Sequence, residues 1–263
     1  MSELTIFGEL RRLFNERTER SRLTQVLKFN ELAAYKSTGS GYVKEARHDS
    51  VDFQKDILAK ISLKPADVVV DVACGDGTNA DYLDHYFGVT TIRGEFSQAA
   101  LDLQPDKKTR WIDASEHLPF DTGSVDFILV KDAVEHFRDQ RNFLAESSRV
   151  LKPDGRLLIV SQSIQQTFFK VKSQFASTMF QINFDRWQDY AELVEQATTK
   201  QYPNYTHLPP YFKTSPAQLV DLALRFGLHE KNIDKLPPTW TSTPKTDWHD
   251  KQRFVLNLVK SSA

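Results

Sequence analysis

The stretch Val68-Val-Val-Asp-Val-Ala-Cys-Gly-Asp-Gly-Thr-Asn-Ala80 constrains this chain more than any other. Val68, Val69, Val70 and Val72 form a nearly continuous β-branched run, the pattern of a strand buried on both faces of a parallel sheet. The run breaks near Asp71 to Ala73, and Gly75 and Gly77 let the backbone turn sharply and approach a ligand closely. Thr78 to Phe87 then reads as a helix with Ala80, Leu83 and Phe87 on one side, stopped by Gly88. A strand, a glycine turn and a helix in this order predict an α/β fold with a nucleotide-like ligand at the helix N-terminus.

Two chemistries fit that turn. Gly75-x-Gly77-x-x-Ala80 satisfies the loose dinucleotide fingerprint, and Glu95, about 20 residues on, stands where a ribose-binding acid is expected, as in an NAD-dependent oxidoreductase. The acid ahead of the glycines, in Asp71-x-Ala73-x-Gly75-x-Gly77, points elsewhere, because a carboxylate there meets a cation and repels a pyrophosphate. With that acid the stretch resembles motif I of the class I S-adenosylmethionine-dependent methyltransferases, of the small-molecule, methyltransferase-11/UbiE-like type. That motif is an acid followed by three alternating glycines, and Ala73 replaces the first of them. The resemblance implies S-adenosyl-L-methionine as cofactor, held by Asp71, Ala73, Gly75, Gly77 and Asn79.

Downstream residues extend the pattern. Val89 to Gly94 predicts a second strand ending in Glu95-Phe96-Ser97, where Ser97 is placed to cap the next helix, Glu95 to accept both ribose hydroxyls and Phe96 to pack on adenine. Thr109 to Ile112 predicts strand three. Asp113-Ala-Ser-Glu-His-Leu-Pro-Phe120 follows, and in the family it resembles such an Asp113 accepts from the adenine amino group while the Ala114 amide meets the ring. Ser124 to Val130 predicts strand four, and Lys131-Asp-Ala-Val-Glu-His-Phe-Arg138 lies at the edge where methyl transfer is expected. There Lys131 and Asp132 line the cofactor pocket through backbone groups. Glu135 and His136, an adjacent acid and imidazole, are candidates for general-base or substrate-orienting roles, with packing as the alternative for His136. Arg149-Val-Leu-Lys-Pro-Asp-Gly-Arg156 reads as a helix end and turn before a buried strand, Leu157 to Val160.

The resemblance implies a Rossmann-like, seven-stranded, mostly parallel sheet with helices on both faces and an antiparallel last strand, Arg253 to Val259, inserted between strands five and six. It accounts for about residues 65 to 161 and 214 to 263. Residues 1–64 read as a helical lid with a Gly-Ser break at Thr38 to Tyr42, and Tyr35 and Tyr42 as candidate lid contacts. Residues 162–213 read as a helical, aromatic-rich substrate cap. Ser215-Pro216 opens a helix that ends at Gly227, Leu228 to Ile233 predicts strand six, and Thr239 to Asp250 reads as an irregular loop.

Charge narrows the acceptor. Across 263 residues, 34 Lys and Arg balance 35 Asp and Glu, so no global field draws nucleic acid or an anionic membrane. No apolar run is long enough to cross a bilayer, and no signal core follows Met1, so a cytoplasmic protein is expected. The single cysteine, Cys74, excludes an internal disulfide. No metal site is read. The expectation is an enzyme, monomeric or homodimeric, that methylates O, N or C of a small, partly apolar or aromatic acceptor of the kind found in secondary metabolism. A non-catalytic S-adenosylmethionine-binding accessory protein is the alternative, with the oxidoreductase behind it.

Overall fold

The computed structural model describes residues 51–162, 216–231, 240–241 and 253–262. Most of the lid read over 1–64 and nearly all of the cap read over 162–213, with Tyr35, Tyr42 and Ser215, therefore lie outside the described residues.

The valine run forms β1 (Val68–Val72), and the glycine turn leads into α1 (Thr78–Phe87), closed by Gly88 in the left-handed conformation. The chain continues through β2 (Thr90–Glu95), α2 (Gln98–Leu101), β3 (Thr109–Trp111) and β4 (Val125–Lys131). A 3-10 turn, Val134–His136, precedes α3 (Gln140–Val150) and β5 (Leu151–Gln162); α4 (Pro216–Leu224), β6 (Leu228–Glu230), β7 (Trp240–Thr241) and β8 (Arg253–Lys260) complete it. The order across the sheet is β3-β2-β1-β4-β5-β8-β6. β1 to β5 run parallel, and β8 lies antiparallel between β5 and β6, the arrangement expected from the sequence.

Three local readings change. Residues 149–156 are not only a turn: Leu151 already pairs with Val125, and the register resumes at Phe127 and Arg156, so residues 152–155 bulge out of a longer β5 around Asp154 at φ 62°. Within the stretch read as an irregular loop, Trp240 and Thr241 pair with Arg253 and Phe254 as an eighth, two-residue strand. Strand two includes Glu95 as its last residue. Gly94 beside it packs closely against Ile112: a Cβ there would come within 2.5 Å of Ile112 Cδ1, which would have to shift.

The pleat sorts the sheet into two cores. Val70, Val72, Ile128, Val130, Leu157 and Ile159 join Phe143 and Leu144 of α3 and Leu219 and Ala223 of α4 on one face. Val69, Phe127, Leu129 and Val160 pack on the other against Leu83 of α1 and Phe53, Ile57 and Leu58 of the N-terminal segment. By alternation Asp71, Arg93, Glu95 and Lys131 belong to this second face, at the carboxyl end of the strands. Open α/β sheets bind ligands at that end, beside the reversal of strand order, here between β1 and β4.

Candidate functional site

The glycine turn is satisfied by the protein itself. Cys74 N donates to Gly94 O, Gly77 N to Cys74 O, and Thr78 N to Asp76 Oδ1. Gly75 N donates to Glu95 Oε2 at 2.9 Å. A phosphate at such a turn is held by free backbone amides, and these four are already engaged. Gly77 has φ 79°, and a Cβ there would lie 2.1 Å from Gln104 Oε1, so glycine is required for conformation and space alike. Gln104 supports the turn from below, donating through Nε2 to Gly75 O at 3.0 Å. Asn79 Oδ1 and Thr78 O receive Gln54 Nε2, which ties the N-terminal segment to the start of α1.

Asp71 is buried at 2% exposure, and its Oδ2 accepts no hydrogen bond among the described residues. Burial pushes its carboxyl up to about 8; Arg93 and Lys131 oppose the rise, while Glu95 and Asp76 add to it. Ala73 and Asp132, just past β1 and β4, both hold positive φ, 59° and 53°, conformations that store strain in residues other than glycine. Lys131 Nζ pairs with Asp132 Oδ2 at 2.6 Å and lies 5.7 Å from the Phe53 ring centroid. Its side chain thus takes part in the site's electrostatics, beyond the backbone contact read from the sequence. Cys74 is buried, and desolvation raises its thiol well above the ordinary value.

Glu95 accepts from three backbone amides. Besides Gly75 N on Oε2, Phe96 N and Ser97 N reach Oε1 at 2.8 and 3.0 Å. A carboxylate offers about four acceptor positions, so these three amides take up most of what Glu95 offers. Ser97 caps α2 as the sequence indicates, accepting from Ala100 N. Phe96 packs at 5.6 Å, centroid to centroid, against Trp111, whose Nε1 donates to Phe96 O.

The loop after β3 is held by α3 and by Arg138 just ahead of it. Asp113 Oδ1 accepts from Ser115 N, and its Oδ2 pairs with Arg138 Nη2. Asn142 Nδ2 donates to the carbonyls of Ser115 and Glu116, Glu146 accepts from Leu118 N, and Arg149 donates to the carbonyls of Leu118 and Phe120. Asn142, Glu146 and Arg149 recur at intervals of four and three, one stripe along α3, and Arg138 lies just ahead of the Asp139 cap of that helix. Ala114 is buried beneath this loop. Glu135, 8% exposed, accepts from Ser161 Oγ at the end of β5, whereas His136, the next residue of the 3-10 turn, is half-buried.

The predicted residues thus gather at the carboxyl ends of β1 to β4. Arg93, Gln104, Arg138 and Ser161 were not singled out from the sequence. Arg93 is 1% exposed and donates through Nη2 to Asp81 and Asp84 at 2.7 and 2.9 Å, which anchors α1 to β2. No group of His, Cys, Asp and Glu suited to a metal ion occurs among the described residues.

Residues 70–159 match the profile of a methyltransferase-domain family. The chain is 33% identical over 103 residues to a probable chloroplastic tocopherol O-methyltransferase of Oryza sativa subsp. japonica, covering 35% of this chain and 28% of that one. It is 28% identical over 185 residues to a demethylmenaquinone methyltransferase of Lactiplantibacillus plantarum, covering 64% and 77%. Several of the curated relatives are spanned over less than two thirds of their length. Among solved structures, a putative methyltransferase in complex with the Haloferax volcanii Trm112 methyltransferase activator superposes with a TM-score of 0.61 at 18% identity, covering 89% and 98% of the two chains.

Proposed function

We propose that this chain, whose residues 70–159 match a methyltransferase-domain family, is a class I S-adenosylmethionine-dependent methyltransferase that transfers the cofactor's methyl group to a small, partly apolar or aromatic acceptor. The engaged turn supports this reading: the amides of Cys74, Gly75, Gly77 and Thr78 already have acceptors within the protein, which leaves fewer donors for a pyrophosphate, while a cationic ligand finds acids. The same observation disfavours the NAD-dependent alternative.

The residues fit the group. Asp71 Oδ2, a buried acceptor lacking a donor among the described residues, suits the cationic amino acid end, met directly or through a water. Glu95 receives a ribose hydroxyl, Phe96 packs on the base, Asp113 accepts from the adenine amino group and the Ala114 amide meets the ring. Ala73, Gly75, Gly77, Asn79 and Lys131 shape the methionine side. S-adenosylmethionine, when bound, supplies an electrophilic methyl group on a sulfonium, and its transfer is an in-line displacement. What remains for the chain is alignment and exclusion of water. Glu135, held by Ser161, and His136 are assigned to orienting the acceptor or taking its proton. Relatives named for tocopherol and demethylmenaquinone methylation favour phenolic and hydroquinone acceptors.

Release of S-adenosylhomocysteine, followed in a screen of phenols, hydroquinones, carboxylic acids and amines, tests the assignment. Turnover with a ring hydroxyl or ring carbon acceptor is the expected result. Tight S-adenosylmethionine binding without turnover of any acceptor would replace the enzyme with an accessory cofactor-binding protein.

A further inference from the structure

The loop from Asp113 to Phe120 is fastened by a stripe along α3 and by Arg138, just ahead of that helix, and Arg138 behaves differently from the stripe. Asn142, Glu146 and Arg149 hold backbone groups of the loop. Arg138 instead reaches side chains, the Asp113 carboxylate and, at 3.4 Å, Glu116 Oε1, while its own amide donates to Ser115 Oγ at 3.0 Å. Arg138 and Asp113 are both enclosed, with side-chain exposures of 10% and 6%. Arg138 Nε is also buried, without an acceptor among the described residues, so the guanidinium reaches Asp113 with its fork incompletely used.

We propose that Arg138 is a specificity-determining positioning residue: with the Ser115 amide, it fixes the Asp113 carboxylate so that the site accepts a 6-aminopurine and rejects a 6-oxopurine. The inference rests on the reading that Asp113 meets the cofactor's base. A guanidinium is planar and permanently charged, so a carboxylate beside it is held in orientation and stays an acceptor. Ser115 N binds Oδ1 and Arg138 Nη2 binds Oδ2, so the carboxylate is gripped at both oxygens and turns toward its ligand in one attitude. An exocyclic amine donates to it; a carbonyl oxygen at the same ring position meets an acceptor with an acceptor. Without Arg138 the carboxylate rotates, and the distinction between the two bases weakens.

The experiment is calorimetric titration of the full chain with S-adenosylhomocysteine and with its 6-oxo counterpart, S-inosylhomocysteine, reading the ratio of the two affinities. In Arg138→Ala the ratio is expected to fall about tenfold, the scale of one charged hydrogen bond. Arg138→Lys, which keeps the charge but not the fork, is expected to fall between it and the parent protein. Asn142→Ala loosens the same loop through its backbone and should weaken both ligands together at an unchanged ratio, which separates selection from support. The inference is overturned if every Arg138 variant that folds keeps the parent ratio while Asp113→Ala abolishes it. If Asp113→Ala keeps the ratio too, the adenine assignment of Asp113 fails and the inference falls with it.

Discussion

Gly75 N donates to Glu95 Oε2 at 2.9 Å across the carboxyl ends of β1 and β2. The contact ties the cofactor turn to the acid assigned to the ribose, so turn and acid are set by one another.

Glu95→Ala removes an acceptor that serves Gly75, Phe96 and Ser97 at once. Their amides lie in a buried setting, and stability should fall by about 1–3 kcal/mol, with cofactor affinity down tenfold or more. Thermal unfolding and calorimetric titration check both parts. Glu95→Gln retains one acceptor oxygen and should sit between the two proteins.

Asp71 gives a pH dependence of definite sign. Burial lifts its carboxyl to about 8 from an ordinary 3.8, so between those values the folded protein binds a proton that the unfolded chain does not. Its effect on stability is therefore fully favourable below about pH 4 and declines as pH rises toward 8. A cationic ligand favours the ionised form and expels that proton. S-adenosylmethionine should bind more tightly as pH rises from 6 to 8, by up to about tenfold per unit, and titrations in buffers of different ionisation enthalpy should record proton release. Asp71→Asn is expected to flatten the dependence.

Gly77→Ala places a Cβ 2.1 Å from Gln104 Oε1 in a residue at φ 79°. The strain should cost about 1–3 kcal/mol. Because Gln104 must move and it holds Gly75 O, cofactor affinity should fall as well. An unchanged melting temperature would show that the turn tolerates a side chain there.

Glu146 lies at the centre of the α3 stripe, and its carboxyl is held down to about 2. The hydrogen bond from Arg149 contributes most; burial opposes it, while the Leu118 amide and His117 add to it. Stability from this group is present above about pH 4.5 and is lost as pH falls toward 2. Glu146→Gln should thus be less stable than the parent protein near neutrality, by about 1–3 kcal/mol, and the gap should close in acid. Melting curves at pH 7 and pH 3 measure it.

Once an acceptor is found, His136→Ala should lower turnover and leave S-adenosylhomocysteine affinity within about twofold, the pattern of a group acting on the reacting acceptor. Normal turnover would assign His136 to packing.

What the sequence disclosed was local. The valine run, the two glycines and the Gly88 stop dictate β1, the turn and α1 through neighbouring residues alone, and the structure has them at the expected places. Ser97 and Pro216 likewise mark helix starts by short-range chemistry. The missed features are held by distant partners: Gln104 supports a turn about thirty residues earlier, Arg138 finds Asp113 across a strand, and Arg93 is neutralised by two acids of α1. A lone glutamine or arginine carries no periodicity that reveals such a partner. Glu95 stands at the strand end that the sequence marks, but the three backbone amides it holds are visible only in three dimensions.

The most direct measurement is calorimetric titration of S-adenosylmethionine into the full chain and into Asp71→Ala, Glu95→Ala and Asp113→Ala, with NADH as the competing ligand. One saturable S-adenosylmethionine site, weakened about tenfold or more by each substitution and indifferent to NADH, is the expected result. Parent-like affinity in all three folded variants, or binding of NADH in place of S-adenosylmethionine, would contradict the account.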